Sequence, residues 1–123
     1  MKVLLVDDSS TMRKIQKRML IAMDITDITE AGNGKEALIK LKEANYEFTF
    51  ILCDINMPEM SGMETLKKIR SMPQTEKLPV IMCTSVAEKS QVMEAIKAGA
   101  SNYIVKPFKA EDLEEKVNAV LGR

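Results

Sequence analysis

The residues that could do chemistry in this 123-residue chain follow short apolar segments. Asp7 and Asp8 directly follow the first apolar run, Asp54 follows another, and Thr84 and Lys106 close two more. If these runs are parallel strands, their carboxyl ends share one edge of a sheet, and the five side chains converge there. Three carboxylates that lie so close together need a cation.

The predicted cluster consists of hard oxygen ligands without Cys or His, which favours Mg²⁺ over zinc and leaves Mn²⁺ as an alternative metal. Mg²⁺ characteristically takes one or two carboxylates together with a phosphate oxygen. Phosphoryl transfer needs an in-line nucleophile and groups that neutralise or hydrogen-bond the charged oxygens. Asp54 could attack, Lys106 could neutralise charge and the Thr84 hydroxyl could donate, so the sequence predicts a phosphoryl-transfer site.

Each of these residues alone has an ordinary structural explanation. An Asp after a strand is commonly a helix cap or a turn residue, so Asp7 or Asp8 alone would cap a helix that starts near Ser9. Lys106 alone would be a solvated lysine. Independent surface roles, however, give no reason for three acids, a hydroxyl and a lysine to share one end of alternate strands, and the combination favours a site.

Elements that alternate regularly must position these side chains. Five apolar runs predict strands, at residues 2–6, 25–29, 48–53, 78–83 and 102–105. Between them, apolar residues at helical spacing predict one buried stripe per helix: Met12, Ile15 and Met19; Ala37, Leu38 and Leu41; Met63, Leu66 and Ile69; Val92, Ile96 and Gly99; Leu113, Val117, Val120 and Leu121. Three helix starts carry capping pairs: Asn33 with Glu36, Ser61 with Glu64, and Ser85 with Glu88.

This strict alternation predicts a single α/β domain over residues 1–123, with three layers and (βα)5 topology. The expected fold is flavodoxin-like, a five-stranded parallel sheet of order 2-1-3-4-5 with helices on both faces. Near-continuous apolar runs suit strands that are covered on both faces, whereas the mixed polarity of residues 25–29 predicts an edge strand.

Composition excludes several classes of function. Lys plus Arg equals Asp plus Glu at 18 each, so no overall field attracts nucleic acid or anionic lipid. No apolar run reaches the length of a bilayer span, and the cytoplasm is the expected location. Cys53 and Cys83 lie in apolar runs and are expected to be buried, reduced thiols. The chain contains no histidine, so any phosphohistidine must belong to a partner.

Residues 32–37 match the G-x-G-x-x-A pattern of dinucleotide-binding proteins, with Asp54 about 20 residues further on. That pattern belongs on the first strand of a sheet, whereas here it follows the second. We interpret the segment as a turn with an Asn33 helix cap and expect no bound cofactor besides the metal. No G-x-x-x-x-G-K-[ST] loop occurs, which implies an external phosphoryl donor.

Four segments carry a resemblance to a known family: VDDSSTMR at 6–13, DINMPEMSG at 54–62, Thr84-Ser85, and AGASNYIVKPF at 98–108. Together and in this order they resemble the receiver domains of two-component signalling, over essentially the whole chain. Among receivers, the sequence is most similar to the stand-alone chemotaxis regulators.

The resemblance implies a role for each residue at the metal. Asp54 would be the phosphoacceptor, and Asp8 and Asp54 would ligate Mg²⁺ directly. Asp7 would act mainly through bound water, and the backbone carbonyl of Asn56 would supply a further ligand.

The resemblance also implies a switch. Lys106 would pair with the acidic pocket and then with the phosphoryl group, Thr84 would move to bond that group, and Tyr103 would change rotamer on the output face. A cis bond would precede Pro107, the alternative being that Pro107 merely ends the last strand, and Gly62 would permit a close approach of its loop.

The start of the last helix departs from the family's pattern, and two residues at the rim of the pocket have a further expected role. Lys109 replaces the hydroxyl cap of many relatives, which weakens the start of the last helix, although Glu111 and Asp112 favour its dipole. Asn56 and Val86 flank the pocket at positions that tune hydrolysis in the family.

The leading hypothesis is a stand-alone regulator phosphorylated on Asp54 by a histidine kinase, without turnover of a separate substrate. It would be a monomer that relays a chemotaxis signal to the flagellar motor switch, with a phosphatase as a further partner. Lys89, Lys97 and Lys109 would border the footprint of an acidic partner around Tyr103. The alternatives are a phosphate sink or phosphorelay intermediate, and a small Mg²⁺-dependent aspartyl phosphatase.

Overall fold

The computed structural model describes residues 1–85 and 90–122, and within them strands and helices alternate. The elements are β1 (Lys2–Val6), α1 (Ser10–Ile21), β2 (Asp27–Ala31), α2 (Gly34–Glu43), β3 (Phe50–Asp54), α3 (Gly62–Ser71), β4 (Val80–Ser85), α4 (Ser90–Lys97), β5 (Asn102–Lys106) and α5 (Ala110–Leu121). All strand pairs are parallel, in the order β2-β1-β3-β4-β5. The predicted fold class and strand order are confirmed, including the position of β2 at an edge.

Two apolar cores lie on opposite faces of the sheet. Side chains alternate along β1, so that Leu4 and Val6 join the core under α2, α3 and α4, whereas Val3 and Leu5 join the core under α1 and α5. All five residues of β3 are buried. Burial on both faces explains why the central strands are continuous apolar runs.

The observed strands begin about two residues later than predicted in three of the five cases. At β2 the cause is the end of α1, where the Ile25 amide donates to the Leu20 carbonyl at 3.0 Å and Asp24 has a φ of 64°. Ile25 is buried, but its backbone completes the helix terminus instead of pairing with β1. Burial without strand pairing therefore shifted the predicted boundary.

The predicted buried stripe of α1 is wrong at one position. Ile15 is 39% exposed, and Gln16 is buried at 1% exposure on the face that also carries Leu20. Gln16 and Leu20 are four residues apart and thus lie one above the other on the helix. The apolar pattern did not reveal this rotation because the buried residue is polar.

The predicted stripe of α4 is also wrong, because this helix packs on the small side chain of Ala95. Ile96 and Met93 are 43% and 65% exposed. Val92 is half-buried, and Gly99 lies beyond the helix at a φ of 106°. A helix that approaches the sheet on alanine leaves its larger apolar residues facing away from the core.

Predicted caps are confirmed at two helices. The Glu36 amide donates to Asn33 Oδ1 at 2.8 Å, which confirms that residues 32–34 form a turn and cap before α2. Ser61 and Glu64 form a reciprocal capping box at α3. Glu88, the predicted capping partner of Ser85, lies outside the described residues, as do Val86 and Lys89.

At α5 the Lys109 amide donates to Asp112 Oδ2 at 3.0 Å. The Asp112 carboxylate in the first turn thus satisfies the Lys109 amide, while the Asp112 amide donates to the Lys109 carbonyl at 3.1 Å. Among the helices of residues 1–85 and 90–122, none has the length and apolar character needed to cross a membrane.

Candidate functional site

Three carboxylates meet at the carboxyl edge of the sheet. Asp7 and Asp8 follow β1, Asp54 ends β3, and these two strands are paired neighbours. Each residue offers a carboxylate oxygen, and the three oxygens lie within 4.8 Å of one another. Asp7 and Asp54 are 1% and 8% exposed, whereas Asp8 is exposed to solvent. The structure therefore forms the acidic cluster that the sequence predicted.

Lys106, at the end of β5, reaches across the sheet edge to this cluster. Its Nζ lies 2.9 Å from Asp7 Oδ2 and 3.2 Å from Asp54 Oδ1. Burial alone would lower the pKa of Lys106, but the hydrogen bond to Asp7 and the charges of Asp54 and Asp7 outweigh it and raise that pKa. The lysine is thus held as a cation between two acids. The following Lys106–Pro107 peptide bond is cis, as the resemblance implied.

The backbone around Asp7 fixes its carboxylate. Asp7 Oδ1 accepts a hydrogen bond from the Ser9 amide at 2.9 Å, and the Asp7 amide donates to Ala31 of β2 at 3.1 Å. With Lys106 on Oδ2, both Asp7 oxygens have protein donors. The role of Asp7 at a metal through bound water stays a prediction.

Sequence reasoning missed Arg13, which braces the same segment. Its guanidinium donates to the Asp7 carbonyl at 2.5 Å and pairs with Glu30 Oε1 of β2 at 3.0 Å. The signal was present in the VDDSSTMR segment, since one helical turn after the Ser9 cap places residue 13 above the β1–α1 connection.

Gly62 allows the β3–α3 loop to close tightly over the end of β3. Its amide donates to the Ile55 carbonyl at 2.7 Å. A Cβ at this position would lie 2.0 Å from the Asp54 carbonyl oxygen and 2.7 Å from Ile55 Cα. Only glycine fits, which confirms the predicted close approach. Asn56, the expected carbonyl ligand, lies in this loop two residues after Asp54, with its side chain exposed.

Thr84 is the second-to-last residue of β4, the strand that pairs with β5. It is fully buried, and its hydroxyl donates to the Ser85 carbonyl at 3.1 Å. In the β4–β5 pairing Thr84 lies opposite Val105, the residue before Lys106. The structure therefore brings Thr84 to the same edge as the acids and the lysine.

Tyr103 lies two residues further from that edge than the level of Thr84. It pairs with Met82, so Tyr103 and Thr84 project to the same face of the sheet. The tyrosine is half-buried, with the Lys116 ammonium 5.0 Å from the centre of its ring. The buried Thr84 hydroxyl and the half-buried Tyr103 ring therefore lie on the same face of the sheet.

Cys53 and Cys83 flank Asp54 as free, buried thiols, as predicted. Cys53 precedes Asp54 on β3, and Cys83 pairs with Asp54 across β4. They belong to the two opposite cores, and burial raises the pKa of both thiols. The thiols therefore stay protonated at neutral pH, and oxygen ligands define the site.

The acidic cluster has the donor set of a magnesium site. Carboxylate oxygens and a loop that offers backbone carbonyls suit a hard divalent cation. Within residues 1–85 and 90–122, three carboxylates lie beside one ammonium, and such a cation would neutralise the excess of negative charge. The residues therefore fit the metal that the sequence predicted.

Comparisons with known proteins agree with this geometry. Residues 3–118 match the family described as the response regulator receiver domain. The chain is 48% identical over 122 residues to the chemotaxis protein CheY1 of Helicobacter pylori, covering 99% of this chain and 98% of that one. It is 47% identical to a CheY homolog of Campylobacter jejuni, covering 99% of this chain and 93% of that one.

Solved structures give the same result. The crystallised chemotaxis protein CheY4 of Vibrio cholerae superposes with a TM-score of 0.88 at 35% identity, covering 98% of both chains. A receiver domain protein from Clostridium thermocellum superposes with the same TM-score at 30% identity, covering 99% of this chain and 94% of that one.

Proposed function

The chain belongs to the response regulator receiver family, and from this membership we propose that it is a chemotaxis switch phosphorylated on Asp54 with Mg²⁺ bound. Receiver domains in general take their phosphoryl group from a histidine kinase, and the similar chemotaxis proteins indicate chemotaxis signalling. The observation that carries the proposal is the convergence of Asp7, Asp8, Asp54 and Lys106 at one sheet edge.

In the proposed reaction, a carboxylate oxygen of Asp54 attacks the phosphorus of a phosphohistidine on the kinase. An O–P bond forms, the N–P bond breaks, and the electron pair returns to the imidazole nitrogen of the donor. The chain contains no histidine, so this donor must be a partner.

The surrounding residues stabilise the charge of the transferred group. Asp8, Asp54 and the Asn56 carbonyl would hold Mg²⁺, and Asp7 would orient its water. The metal would neutralise the phosphoryl oxygens during transfer. Lys106 already lies 3.2 Å from Asp54 and would pair with one phosphoryl oxygen after transfer.

The acyl phosphate would then act through Thr84. Its hydroxyl donates to a backbone carbonyl in the unmodified chain, and exchanging that partner for a phosphoryl oxygen would move a buried side chain. Because Tyr103 shares the same sheet face, the space that Thr84 leaves would favour a different tyrosine rotamer. Two states that differ by about 2–3 kcal/mol would suffice, because the phosphoryl group need only bond better to one.

Incubation with a small acyl phosphate and Mg²⁺ tests the proposal. We expect the intact mass to increase by one phosphoryl group, and the adduct to be absent without Mg²⁺ or in Asp54→Asn. An unmodified wild-type chain, or an adduct that survives Asp54→Asn, would contradict the proposal.

We further propose that the phosphorylated protein is a cytoplasmic monomer that binds the flagellar motor switch, with a phosphatase that resets it. The half-buried Tyr103 and the exposed Met93 and Ile96 support a docking role for β5 and α4. A pull-down that compares phosphorylated and unmodified protein against flagellar switch and kinase components would separate this role from a phosphate sink. Binding of the kinase alone would favour the sink.

We propose that the chain turns over no separate substrate. Membership of a family of phosphorylated regulators supports a switch over an aspartyl phosphatase. Steady hydrolysis of a phosphorylated metabolite would favour the phosphatase.

A further inference from the structure

Gly34 is the second glycine of the G-x-G-x-x-A segment, which has no role in the proposed chemistry. It is the first residue of α2 and is buried. A Cβ built at this position would lie 2.1 Å from Thr65 Oγ1, 2.9 Å from Met60 Cγ and 3.0 Å from Met60 Cβ. These distances are shorter than van der Waals contact, so the start of α2 lies directly against α3 and its preceding loop.

The residues that Gly34 contacts lie in α3 and in the loop that joins α3 to β3, the strand that ends in Asp54. Thr65 is fully buried in the first turn of α3, and its hydroxyl donates to the Ser61 carbonyl at 2.8 Å. The Thr65 amide donates to the same carbonyl at 3.0 Å. Thr65 is thus held in one rotamer against Gly34, and it cannot rotate away without losing a partly buried hydrogen bond.

From Ser61 the contacts continue to the site itself. The next residue, Gly62, bonds through its amide to the Ile55 carbonyl and packs against the Asp54 carbonyl oxygen. A continuous packed path therefore connects Gly34 through Thr65, Ser61 and Gly62 to the backbone of Asp54. We call this path the Gly34–Gly62 interlock.

The first glycine of the segment lacks such contacts. A Cβ at Gly32 would meet only Glu36 Oε2 at 3.5 Å and Arg13 Nη1 at 3.8 Å. Both distances are ordinary contacts with the ends of flexible side chains. The two glycines are separated by one residue, yet only Gly34 needs to lack a side chain for steric reasons.

We infer that Gly34 is a positioning residue for phosphorylation, because the Gly34–Gly62 interlock sets the β3–α3 loop that carries Asn56 against Asp54. The inference rests on the proposed function for its chemical consequence. A methyl group at residue 34 would push Thr65 and Met60 outward, and the loop would move with them. A shift of about 1 Å at a reacting group can slow a reaction about a hundredfold.

The test compares Gly34→Ala with Gly32→Ala as a matched control. In metal-free protein, we expect the Gly62 amide to exchange its hydrogen about tenfold faster in Gly34→Ala, because its bond to Ile55 is loosened. With metal, we expect Mg²⁺ binding measured by calorimetry to weaken about tenfold and phosphorylation by a small acyl phosphate to slow at least about tenfold. Gly32→Ala should leave all three measurements unchanged.

A rescue variant distinguishes positioning from a general loss of stability. Thr65→Ala removes the oxygen with which the new methyl group collides, so Gly34→Ala with Thr65→Ala should recover most of the phosphorylation rate relative to Thr65→Ala alone. If Gly34→Ala does not fold, this comparison decides the inference by itself. No recovery in the double variant would overturn it.

The inference is also overturned if Gly34→Ala lowers the melting temperature but keeps wild-type Gly62 exchange, Mg²⁺ affinity and phosphorylation rate. Failure of the proposed function gives a different result. In that case the wild-type chain takes no phosphoryl group, while the metal-free exchange still reports on the interlock.

Discussion

Charged side chains have different kinds of partner at the two edges of the sheet. At the carboxyl edge, Lys106 pairs with Asp7 and Asp54, and Asp8 adds a third carboxylate within 4.8 Å of theirs. At the amino edge, before β4 and β5, the half-buried guanidinium of Arg70 lies among neutral acceptors. Among the described residues, carboxylates outnumber ammonium groups in the carboxyl-edge cluster, whereas Arg70 at the amino edge has neutral partners.

Arg70 joins three segments through its hydrogen bonds. It donates to the carbonyls of Gly99 at 2.8 Å, Leu78 at 2.7 Å and Thr75 at 3.1 Å, and to the Ser101 hydroxyl at 3.3 Å. Burial lowers the pKa of the guanidinium, but an arginine remains charged at any physiological pH. Arg70 therefore connects the end of α3 to the loops that precede β4 and β5.

Arg70 thus stabilises the fold, whereas the carboxylates at the carboxyl edge are expected to bind a cation. Hydrogen bonds to fixed carbonyls need nothing from solution, so the amino edge should be indifferent to Mg²⁺ and phosphate. Like charges held close together cost free energy until a cation binds. The carboxyl edge should therefore change its stability with the ligand, and four variants or conditions measure the contrast.

The largest effect is expected at Lys106. Lys106→Met leaves Asp7 buried without its cation, which should lower the free energy of unfolding of metal-free protein by about 3 kcal/mol. Mg²⁺ should restore part of this loss and stabilise the variant more than the wild type. Urea denaturation with and without Mg²⁺ measures both effects, and the exposed Lys109→Met is the control. Equal free energies of unfolding of Lys106→Met and the wild type would contradict the stabilisation of Asp7 by Lys106.

The next effect is expected at the opposite edge. Arg70→Met leaves several carbonyls without their donor, and we expect the free energy of unfolding to fall by about 2 kcal/mol. The loss should be the same with and without Mg²⁺, and the folded variant should be phosphorylated at the wild-type rate. Lys68→Met, an exposed position on α3, is the control. A Mg²⁺-dependent loss would mean that the two edges are not independent.

A smaller effect of opposite sign is expected at Asp8. Asp8→Asn removes one of three like charges, so the metal-free variant should be more stable than the wild type by at most about 1 kcal/mol, given its exposure. Mg²⁺ should stabilise it much less than the wild type. Thermal denaturation measures this gain, with the distant exposed Asp27→Asn as the control. A destabilised Asp8→Asn would show that the carboxyl edge is not under charge repulsion.

The smallest effect is the pH dependence of the Lys106 interaction. Because folding raises the pKa of Lys106, the folded state holds this proton more tightly than the unfolded chain, whose value is 10.5. Its stabilisation is therefore complete below pH 10.5 and is lost as the pH rises through the higher folded value. Denaturation across this alkaline range should show a steeper loss in the wild type than in Lys106→Met. Parallel slopes would contradict the raised pKa.

The sequence predicted the carboxyl edge far better than the amino edge. Asp54 and Lys106 are found at strand ends because strands of a parallel sheet finish at a common edge, and alternation of strands and helices already implies that edge. Arg70 gives no such signal. Its partners are backbone carbonyls of distant loops, and a sequence pattern does not identify which carbonyls a side chain will reach.

The rotation of a helix about its axis and the contacts between helices could not be predicted from the sequence either. The burial of Gln16 instead of Ile15, and the packing of α4 on Ala95, depend on how each helix meets the sheet. The need for glycine at residue 34 arises only when α2 and α3 approach each other. These features are tertiary, whereas the apolar period of a helix reports only that it has a buried face.

The carboxyl edge should direct a phosphoryl group to Asp54 and to no other acid of the cluster. Protein treated with an acyl phosphate and Mg²⁺ can be reduced with borohydride, which converts a phosphorylated aspartate to homoserine. Peptide mapping should find homoserine at residue 54 alone, and none when Mg²⁺ is omitted. Homoserine at residue 7 or 8, or its absence from residue 54, would contradict the account.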